Sequence, residues 1–547
     1  MTGAVRLVAA AVILAGIATP NDAAALSPLE RAEQTLARMT QNEKLALVRG
    51  VLGAPWGGQP KPAGAVGSAG YVPSIPRLGI PPLQETDAEL GVANPGNIRR
   101  GDRAAAMPSD LALAATFDLD LARAQGEALG EEARARGFNV VLGGAANLIR
   151  DPRGGRDFEY FSEDPLLSGL MVGAAIGGVQ SRHVISTIKH FALNDQETDR
   201  VVLDVRIDPA AARESDLLAF EIGIERGRPG SVMCAHNQVN GVYSCENDWL
   251  LNQVLKRDWG YPGFVMSDWG AVHSTVRSAL AGLDQESGDQ LDTENFFDRL
   301  ARAIADGQVP QQRLDDMVRR ILTSVFGHGL TDPAPTSDPA EAGASDRTAL
   351  AIELNGAVLL KNDGTLPLSG DMRRLVVIGA HADRGVLSGG GSSQVLPRGG
   401  VAFLEPLGKN QAMIFDPSAP LDALRPEFPH ARFEFDDGHF PERAAKAATQ
   451  ADAAIVFADQ WRTEGADVKN LSLPFGEDRL IEEVARANPH TIVVLETGGP
   501  VLMPWLDRVA AVLEAWYPGQ EGARAIAEIL SGSVNPSGRL PVTFPER

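Results

Sequence analysis

Three pairs of polar residues come directly after apolar, strand-like segments in the first half of the chain. The pairs are Lys189-His190, His236-Asn237 and Asp268-Trp269. Any one of them alone could be an ordinary polar strand end, but three in succession indicate the rim of an active site. Ammonium, imidazole and carboxylate groups in one place can bind hydroxyl groups and transfer protons. The Trp269 indole beside the Asp268 carboxylate offers an aromatic face on which a ring could stack.

The elements that must position these pairs are short strands alternating with amphipathic helices from residue 26 to about 330. The candidate strands are NVVLGG (139–144), VISTIKHF (184–191), GSVMCAHN (230–237) and GFVMSDWG (263–270). The stretches between them, such as ARAQGEALGEEARARG and AARESDLLAFEIGIERG, repeat apolar residues at three- and four-residue spacing. Strands separated by such helices form a parallel sheet, and about 300 residues of these units suit a (β/α)8-type barrel.

A second α/β segment follows a stretch rich in proline, alanine and aspartate. Its strand-like runs are RRLVVIGA (373–380), AAIVFAD (453–459), HTIVVLETGGP (490–500) and AAVLEAWYPG (510–519). Helical runs such as GEDRLIEEVARAN separate them, which predicts a mostly parallel sheet with helices on both faces. We therefore predict a barrel over residues 26–330, a linker over 331–347 and an α/β sandwich domain over 348–547. A cleft between the two domains is a natural place for a substrate.

The first 25 residues have the pattern of a secretory signal peptide. Arg6 precedes an apolar run over residues 7–18, and small residues at 23–25 end the segment. An apolar run of this length is too short to cross a bilayer. We expect cleavage near Ala25 and a secreted or periplasmic protein without a membrane anchor.

The net charge of −21 limits the kinds of partner. Without a basic stripe to release counterions, the chain is not expected to bind nucleic acid. A neutral or cationic small substrate fits this charge.

The cysteines and histidines give no sign of a metal site. Nine histidines and two cysteines occur without an H-x-H or C-x-x-C pattern, so we expect neither a metal nor another cofactor. Cys234 and Cys245 flank an Asn240-Gly241 turn signal and are either a disulfide or two buried thiols.

Seven motifs occur along the chain in a fixed order. They are LQETDAELGV, RDPRGGRDFEYFSEDP, KHFALNDQETDR, SVMCAHNQVNGVYSCEND, GFVMSDWGA, WRTEGADVKNLSLP and NPSGRLPVTFP. From about residue 70 to the C-terminus this series resembles glycoside hydrolase family 3, and most closely its β-glucosidase branch. The resemblance implies a retaining, exo-acting β-glucosidase that removes terminal β-D-glucosyl residues from a small carbohydrate or glycoside through a covalent glycosyl-aspartate.

By this resemblance Asp268 is the nucleophile, and Glu464, in the loop WRTEGADVKNLSLP, is the acid/base residue. Retaining hydrolysis needs one ionised carboxylate and one protonated carboxylic acid about 5–5.5 Å apart. Asp268 could instead cap the helix TVRSALAGLD, but Ser274 lies directly before that helix and is the better N-cap candidate. Asp467 and Glu477 compete with Glu464. A loop that closes over a bound sugar would partly desolvate Glu464, and we expect this burial to raise its pKa.

The resemblance also implies a set of sugar-binding side chains. These are Asp87, which would accept from two adjacent hydroxyls, the donors Arg156, Lys189 and His190, and the stacking faces Trp269 and Trp461. Arg156 could instead pair with Glu159 or Glu163, and His190 could be a core histidine. An arginine offers a fixed fork of donors and a lysine an adjustable point charge.

The sequence departs from the family pattern in two places. His236, which we also predict to be a substrate-binding residue, stands where many relatives have tyrosine. An imidazole would then replace a phenol near the nucleophile, and the pH profile could differ. After GRLPVTFP many relatives continue into a fibronectin type III-like domain, which we expect to be absent here.

Four other functions fit the sequence less well. A β-xylosidase or mixed-specificity enzyme would tend to have glutamate, in an E-A-L-H-G setting, where this chain has Asp87, so Asp87 favours glucose. The β-N-acetylglucosaminidase branch is excluded because its K-H-F-x-G-x-G and D-S-H patterns are missing. A Schiff-base aldolase or lyase using Lys189 leaves Asp268 and Glu464 without roles. A non-catalytic sugar-binding protein predicts the loss of one catalytic carboxylate, and both are present.

Overall fold

A computed structural model of the chain describes residues 26–292, 296–333, 343–379, 381–408 and 411–546. The predicted signal peptide, residues 1–25, and residues 334–342 of the predicted linker lie outside the described residues. Within the described ranges, no helix combines the length and the apolar character that crossing a membrane requires.

The first domain alternates strands and helices much as its sequence predicts. Its strands are β1 (Val51–Leu52), β2 (Gly70–Val72), β3 (Leu83–Asp87), β4 (Val140–Leu142), β5 (Ile185–Phe191), β6 (Asp204–Val205), β7 (Ser231–Cys234), β8 (Gln238–Val239), β9 (Val242–Tyr243) and β10 (Phe264–Ser267). Its α-helices are α1 (Pro28–Leu36), α2 (Gln41–Leu47), α3 (Asp110–Ala115), α4 (Leu119–Ala135), α5 (Pro165–Gln180), α6 (Pro209–Glu214), α7 (Asp216–Gly227), α8 (Thr275–Ala281), α9 (Asp298–Ala305) and α10 (Gln311–Gly327). A π-helix spans Trp249–Asp258.

These strands form the predicted barrel. The sheet order is β1-β2-β3-β4-β5-β7-β10, and β3, β4, β5, β7 and β10 are parallel neighbours. Single parallel bridges from Met266 to Gln285 and from Arg49 to Glu286 connect β10 back toward β1 and close the sheet. One strand departs from the regular pattern: β2 is antiparallel to both neighbours, because the short segment from β2 to β3 has no room for a crossover helix.

One predicted helix of the barrel is divided in two. The stretch AARESDLLAFEIGIERG breaks between α6 and α7 at Ser215, whose φ and ψ are −129° and −99°. The Ser215 hydroxyl donates to the carbonyl of Ala211 at 2.7 Å and to the Asp216 carboxylate at 2.8 Å. These local hydrogen bonds compete with the helical pattern, as serine commonly does.

The second domain has the predicted mostly parallel sheet between helices. Its strands are β11 (Val358–Asn362), β12 (Arg374–Ile378), β13 (Val386–Ser388), β14 (Phe403–Gly408), β15 (Gln411–Asp416), β16 (Arg432–Asp436), β17 (Ala453–Gln460), β18 (Thr491–Thr497) and β19 (Ala511–Glu514). Its helices are α11 (Ala344–Gly356), α12 (Pro420–Glu427), α13 (Pro441–Ala448), α14 (Glu477–Ala487) and α15 (Gly522–Ser531). The main sheet has the order β11-β19-β18-β17-β12-β16, in which only the edge strand β11 is antiparallel to its neighbour among the described residues.

The two domains are joined by buried polar contacts. Arg462, fully buried after β17, donates from Nη1 to the Asp157 carboxylate at 2.8 Å and to the carbonyl of Pro152 at 2.7 Å. Its Nη2 donates to Gln460 and Pro500 of its own domain. One guanidinium therefore ties the end of β17 to a barrel loop, and the loop that follows Arg462 is held over the barrel.

Cys234 and Cys245 form a disulfide between the end of β7 and a following turn. Both residues are fully buried, and the bond closes a loop with a sequence separation of 11. Replacing both cysteines by alanine should lower the free energy of unfolding by about 3 kcal/mol, because the unfolded chain regains loop entropy. Urea unfolding followed by tryptophan fluorescence measures this loss. With a reductant present, both proteins should unfold alike; equal midpoints without it would contradict the prediction.

Candidate active site

The predicted strand-end residues meet at one rim of the barrel. Lys189 Nζ lies 3.9 Å from Asp87 Oδ1, and His190 Nε2 lies 3.9 Å from Asp268 Oδ2. His236 Nε2 lies 3.4 Å from the same oxygen of Asp268. The meeting follows from the topology, because the carboxyl ends of parallel barrel strands share one face.

Asp268 is the carboxylate at the centre of this rim. It follows β10 directly, and its backbone N–H donates to the carbonyl of Cys234 at 3.1 Å. The N–H of Trp269 donates to Asp268 Oδ1 at 2.7 Å, while the side chain stays 13% exposed. Burial raises the pKa of Asp268, but His236 and Arg200 outweigh it and hold this pKa well below its usual range. The structure therefore favours an ionised carboxylate at the rim. Helix α8 begins after Ser274, but the Ser274 side chain makes no capping hydrogen bond and donates to Glu246 instead.

Arg156 pairs with Glu159, one of the two partners that the sequence left open, and also faces the site. Its Nε donates to Glu159 at 3.0 Å, and its Nη1 lies 3.2 Å from His190 Nε2 and 3.7 Å from Glu464 Oε1. A guanidinium only donates, so Nε2 of His190 accepts and the ring proton lies on Nδ1. Burial and the neighbouring Arg156 lower the pKa of His190 well below its ordinary value, so the ring is neutral. Glu163 instead accepts from the hydroxyl of Thr543 at 2.6 Å.

A buried carboxylate that the sequence argument passed over also faces Lys189. Glu89 forms an ion pair with Lys189 Nζ and is fully buried. Burial lowers the pKa of Lys189, but Glu89 and Asp87 outweigh it and raise this pKa above its ordinary value. An ammonium held between two carboxylates is a poor nucleophile, which argues against the Schiff-base alternative. Burial raises the pKa of Asp87, while the ammonium of Lys189 opposes this and favours the carboxylate. Burial also raises the pKa of Glu85 to about 8.

Glu464 comes to this rim from the second domain, in the loop between β17 and α14. Its Oε1 accepts from Arg200 Nη2 at 2.7 Å, and its Oε2 accepts from the backbone N–H of Ser392 at 2.8 Å. The glycine run at 389–391 lies beneath the loop. At Gly391, with φ at 109°, a Cβ would stand 2.5 Å from the Cβ of Glu464. Only glycine fits there without displacing the carboxylate.

The structure gives Glu464 a net lowered pKa, although burial acts in the expected direction. Burial does raise it, but Arg156 and Arg200 together with the Ser392 N–H outweigh burial and hold the pKa well below its usual range. The prediction considered the desolvation of a closing loop. It did not include two arginines that approach from distant parts of the barrel sequence.

The two carboxylates that competed with Glu464 have other partners. Asp467 accepts backbone N–H groups from Gly155 at 2.9 Å and from Glu197 and Thr198 at 3.0 Å, so it fastens the loop to the barrel. Glu477, at the start of α14, accepts from the N–H of Asp459 at 3.0 Å. Both carboxylates are engaged by backbone donors.

Of the two predicted stacking residues, Trp461 lines the cavity beside Glu464, and Trp269 follows Asp268 at the barrel rim. Trp269 is partly buried and donates from Nε1 to the carbonyl of Ala69 at 3.2 Å. Trp461 is also partly buried and lines a cavity of about 360 Å³ together with Glu464 and Arg200. In the part of the chain that the structure describes, no group of three or more histidine, cysteine, aspartate or glutamate side chains is arranged to hold a metal ion.

Sequence reasoning missed Glu89, Glu197 and Arg200. Glu197 and Arg200 lie inside the motif KHFALNDQETDR, just past the end of β5. Charged residues at that position in a barrel loop are the signal that could have found them. Glu89 lies two residues after Asp87, and its sequence neighbourhood gives no sign of the ion pair with Lys189.

The comparison with known families gives two matches along the chain. The Glycosyl hydrolase family 3 N-terminal domain matches residues 69–324, and the Glycosyl hydrolase family 3 C-terminal domain matches residues 357–547. The two matched ranges include most of the chain and correspond to the barrel and the second domain.

Similar proteins of known activity are longer than this chain. Thermostable beta-glucosidase B of Acetivibrio thermocellus is 38% identical over 485 residues, which cover 86% of this chain and 62% of that protein. An exo-alpha-(1->6)-L-arabinopyranosidase of Bifidobacterium longum is 34% identical over 502 residues, covering 88% of this chain and 64% of that protein. This chain therefore spans less than two thirds of the length of either relative.

Two solved structures share the fold over 94% of this chain. DesR, a beta-glucosidase from Streptomyces venezuelae in complex with D-glucose, matches with a TM-score of 0.84, 32% identity and 78% of its own length covered. Beta-glucosidase 3B from Thermotoga neapolitana in complex with alpha-D-glucose matches with a TM-score of 0.85, 32% identity and 76% covered. From the two domain matches, and from relatives this similar in sequence and fold, the chain belongs to glycoside hydrolase family 3.

Proposed function

We propose that this protein is a retaining, exo-acting β-glucosidase with Asp268 as nucleophile and Glu464 as acid/base residue. The observation that carries the proposal is that these carboxylates, from two domains, meet at one cleft. Three contacts, each shorter than 4 Å, connect them: Glu464 to Arg156, Arg156 to His190, and His190 to Asp268. A pair of carboxyl groups facing one site is the arrangement that glycoside hydrolysis uses.

The reaction divides into two steps. In the first, Asp268 attacks the anomeric carbon, the bond to the leaving oxygen breaks, and protonated Glu464 gives that oxygen its proton. In the second, ionised Glu464 takes a proton from water, the water oxygen attacks the same carbon, and Asp268 leaves as a carboxylate. The low pKa of Asp268 suits the first attack, and the contacts of Glu464 in the free site suit the base of the second step.

The remaining side chains would hold the sugar. Asp87 and Lys189 form one acceptor–donor pair on the β3–β5 side of the rim, and Arg156 with neutral His190 forms another beside the two catalytic candidates. Trp269 and Trp461 would stack against the sugar or its leaving group. We assign His236 to the nucleophile rather than to the sugar, because it contacts Asp268.

Glucose is proposed as the sugar because similar proteins are named β-glucosidases and two solved ones hold glucose. The Bifidobacterium longum relative makes an α-L-arabinopyranoside the second candidate. That ring lacks the exocyclic hydroxymethyl group of glucose. A comparison of kcat/KM for the two nitrophenyl glycosides would separate the candidates.

Trapping the intermediate tests the proposal directly. Incubation with 2-deoxy-2-fluoro-β-glucosyl fluoride, followed by peptide mass spectrometry, should find one fluoroglucosyl group on the peptide that contains Asp268. The fluorine slows breakdown of the glycosyl-enzyme, so a true nucleophile stays labelled. A label on another carboxylate would overturn the assignment of Asp268. No label on a folded protein that hydrolyses another glycoside would overturn the choice of glucose.

We also propose that the protein is exported after removal of residues 1–25. The buried Cys234–Cys245 disulfide supports this, since such bonds persist mainly in oxidising compartments. N-terminal sequencing of the protein from the periplasm or medium should find a start near residue 26. An intact N-terminus on cytoplasmic protein would contradict the proposal.

His236 gives a prediction for the acidic side of the pH profile. The contact with His236 lowers the pKa of Asp268, and the nucleophile must be ionised. Replacing His236 by phenylalanine should therefore raise that pKa and move the acidic limb of kcat/KM upward by about one pH unit. His236→Tyr keeps a donor and should move the limb less. An acidic limb that stays in place in both variants would contradict this role.

A further inference from the structure

We propose that Glu197 and Arg200, two barrel residues, are positioning residues that fix Glu464 and set its proton occupancy. The inference deepens the proposed function and rests on it, because it assigns a task to residues behind the candidate acid/base group. The proposal does not require either residue to contact the sugar. Their effect would reach the reaction through Glu464.

The geometry is a bridge between two carboxylates from different domains. Arg200 Nη1 donates to Glu197 Oε2 at 2.9 Å, and Nη2 donates to Glu464 Oε1 at 2.7 Å. The Arg200 side chain is 15% exposed and that of Glu197 only 2%. A planar guanidinium can serve two carboxylates at once with a fixed geometry, which a lysine cannot do.

Glu197 also holds the backbone next to Glu464. Its Oε2 accepts from the N–H of Gly465 at 2.8 Å, and its Oε1 accepts from Asn194 at 3.1 Å. The same carboxylate therefore orients Arg200 and anchors the residue that follows Glu464. Glu197 and Arg200 of the barrel therefore act on both the position and the charge of Glu464.

Arg200 is the cation with the shortest contact to Glu464. The groups that face Glu464 from the elements around it are Arg156 of the barrel at 3.7 Å, the N–H of Ser392 at 2.8 Å, and the carboxylate of Asp87 across the cleft. Arg156 is already bound to Glu159 and His190. Arg200 also interacts electrostatically with Asp268.

The two steps of the reaction place opposite demands on Glu464. The first needs the protonated acid and the second needs the carboxylate. A cation at 2.7 Å favours the carboxylate, so Arg200 assists the second step and narrows the pH range of the first. Removing Arg200 should therefore have opposite effects on the two steps.

The pH dependence of kcat/KM for an alkyl β-glucoside tests this inference, because its leaving group needs a proton. Arg200→Met should move the alkaline limb upward by about 1–3 pH units, the usual effect of losing an adjacent opposite charge. The acidic limb should rise by less, since Arg200 acts on Asp268 without a direct contact. With 2,4-dinitrophenyl β-glucoside, kcat at low pH should fall because less Glu464 is ionised to act as the base.

Glu197→Gln should shift the alkaline limb of kcat/KM in the direction opposite to that of Arg200→Met. It removes a negative charge near Glu464 but keeps an oxygen for the Gly465 N–H, so the alkaline limb should move downward. A residue that only stiffens the loop would affect both variants in the same direction or leave both limbs in place, and either result overturns the inference. If Arg200→Met fails to fold, Glu197→Gln decides alone: a downward shift supports the inference, and an upward shift or none overturns it.

Arg153→Met is the matched control. Arg153 lies in the neighbouring barrel loop, pairs with Asp151 and is 53% exposed, so its removal changes the local charge without a contact to Glu464. The acidic and alkaline limbs of kcat/KM should stay in place in Arg153→Met.

Glu464→Ala separates the inference from the proposed function. If that variant lacks leaving-group dependence, the assignment of Glu464 itself fails; if the dependence is present but the limbs of Arg200→Met stay fixed, only the inference fails.

Discussion

Replacing Asp268 by glycine is expected to lower kcat/KM for aryl β-glucosides by about 10⁴–10⁶-fold, the usual loss when a covalent nucleophile is removed. The position of Asp268 in the barrel is the reason for this expectation. Asp268 ends β10 at the barrel rim, is partly exposed to the cleft, and has the imidazoles of His190 and His236 within 4 Å of one oxygen. The Asp268 side chain accepts from the N–H of the adjacent Trp269, and its backbone N–H bond to Cys234 is kept in a glycine variant, so the fold should survive.

Chemical rescue separates a lost nucleophile from a damaged site. Azide or formate should enter the space left by the Asp268 side chain and restore part of the rate with an activated glycosyl fluoride. Attack from the nucleophile's side gives a product of inverted configuration, an α-glucosyl azide, which nuclear magnetic resonance identifies. Asp268→Asn keeps the shape and serves as the isosteric control. Residual activity above about 1% without rescue would contradict the nucleophilic role.

The barrel and its rim could be predicted because they depend on patterns local to the sequence. Four apolar runs of strand length, three of them with a polar pair at the end, predict parallel strands whose ends meet, and β4, β5, β7 and β10 occur where expected. The antiparallel β2 could not be predicted from such a pattern, because three residues carry little periodicity. Its direction depends on a connection too short for a helix.

The electrostatics of the site could not be predicted from local patterns. Glu464 follows β17 of the second domain, yet Arg200 and Arg156 of the barrel decide its charge. Both arginines lie more than 250 positions earlier in the chain, as their sequence numbers show. Similarly, the glycine run at 389–391 lies beneath Glu464 only after β13 and β17 have taken their places in the second domain. From the sequence, a carboxylate in a loop is expected to be exposed to solvent. The arginines that contact Glu464 come near it only in the folded protein.

Glu464 leads to the second large effect, which depends on the leaving group. In Glu464→Ala, kcat/KM for cellobiose or an alkyl β-glucoside should fall by about 10²–10⁴-fold, the contribution of a positioned general acid. With 2,4-dinitrophenyl β-glucoside the same constant should change little, because that phenolate leaves without a proton. The second step should become slow for lack of a base, so a burst of dinitrophenolate should precede a low steady rate. Azide, which needs no base, should raise that rate and give a β-glucosyl azide.

Asp467→Asn provides the control for this pattern, three positions along the same loop. Its carboxylate accepts backbone N–H groups of Gly155, Glu197 and Thr198, so its loss should loosen the loop and lower the rates for all substrates together. Only the true acid/base residue combines leaving-group dependence with azide rescue. If Asp467→Asn shows both and Glu464→Ala shows neither, the proton donor is Asp467, and the contact between Arg200 and Glu464 would have to be interpreted as an interdomain ion pair. The opposite result would identify Glu464 as the group through which the second domain takes part in the chemistry of the barrel.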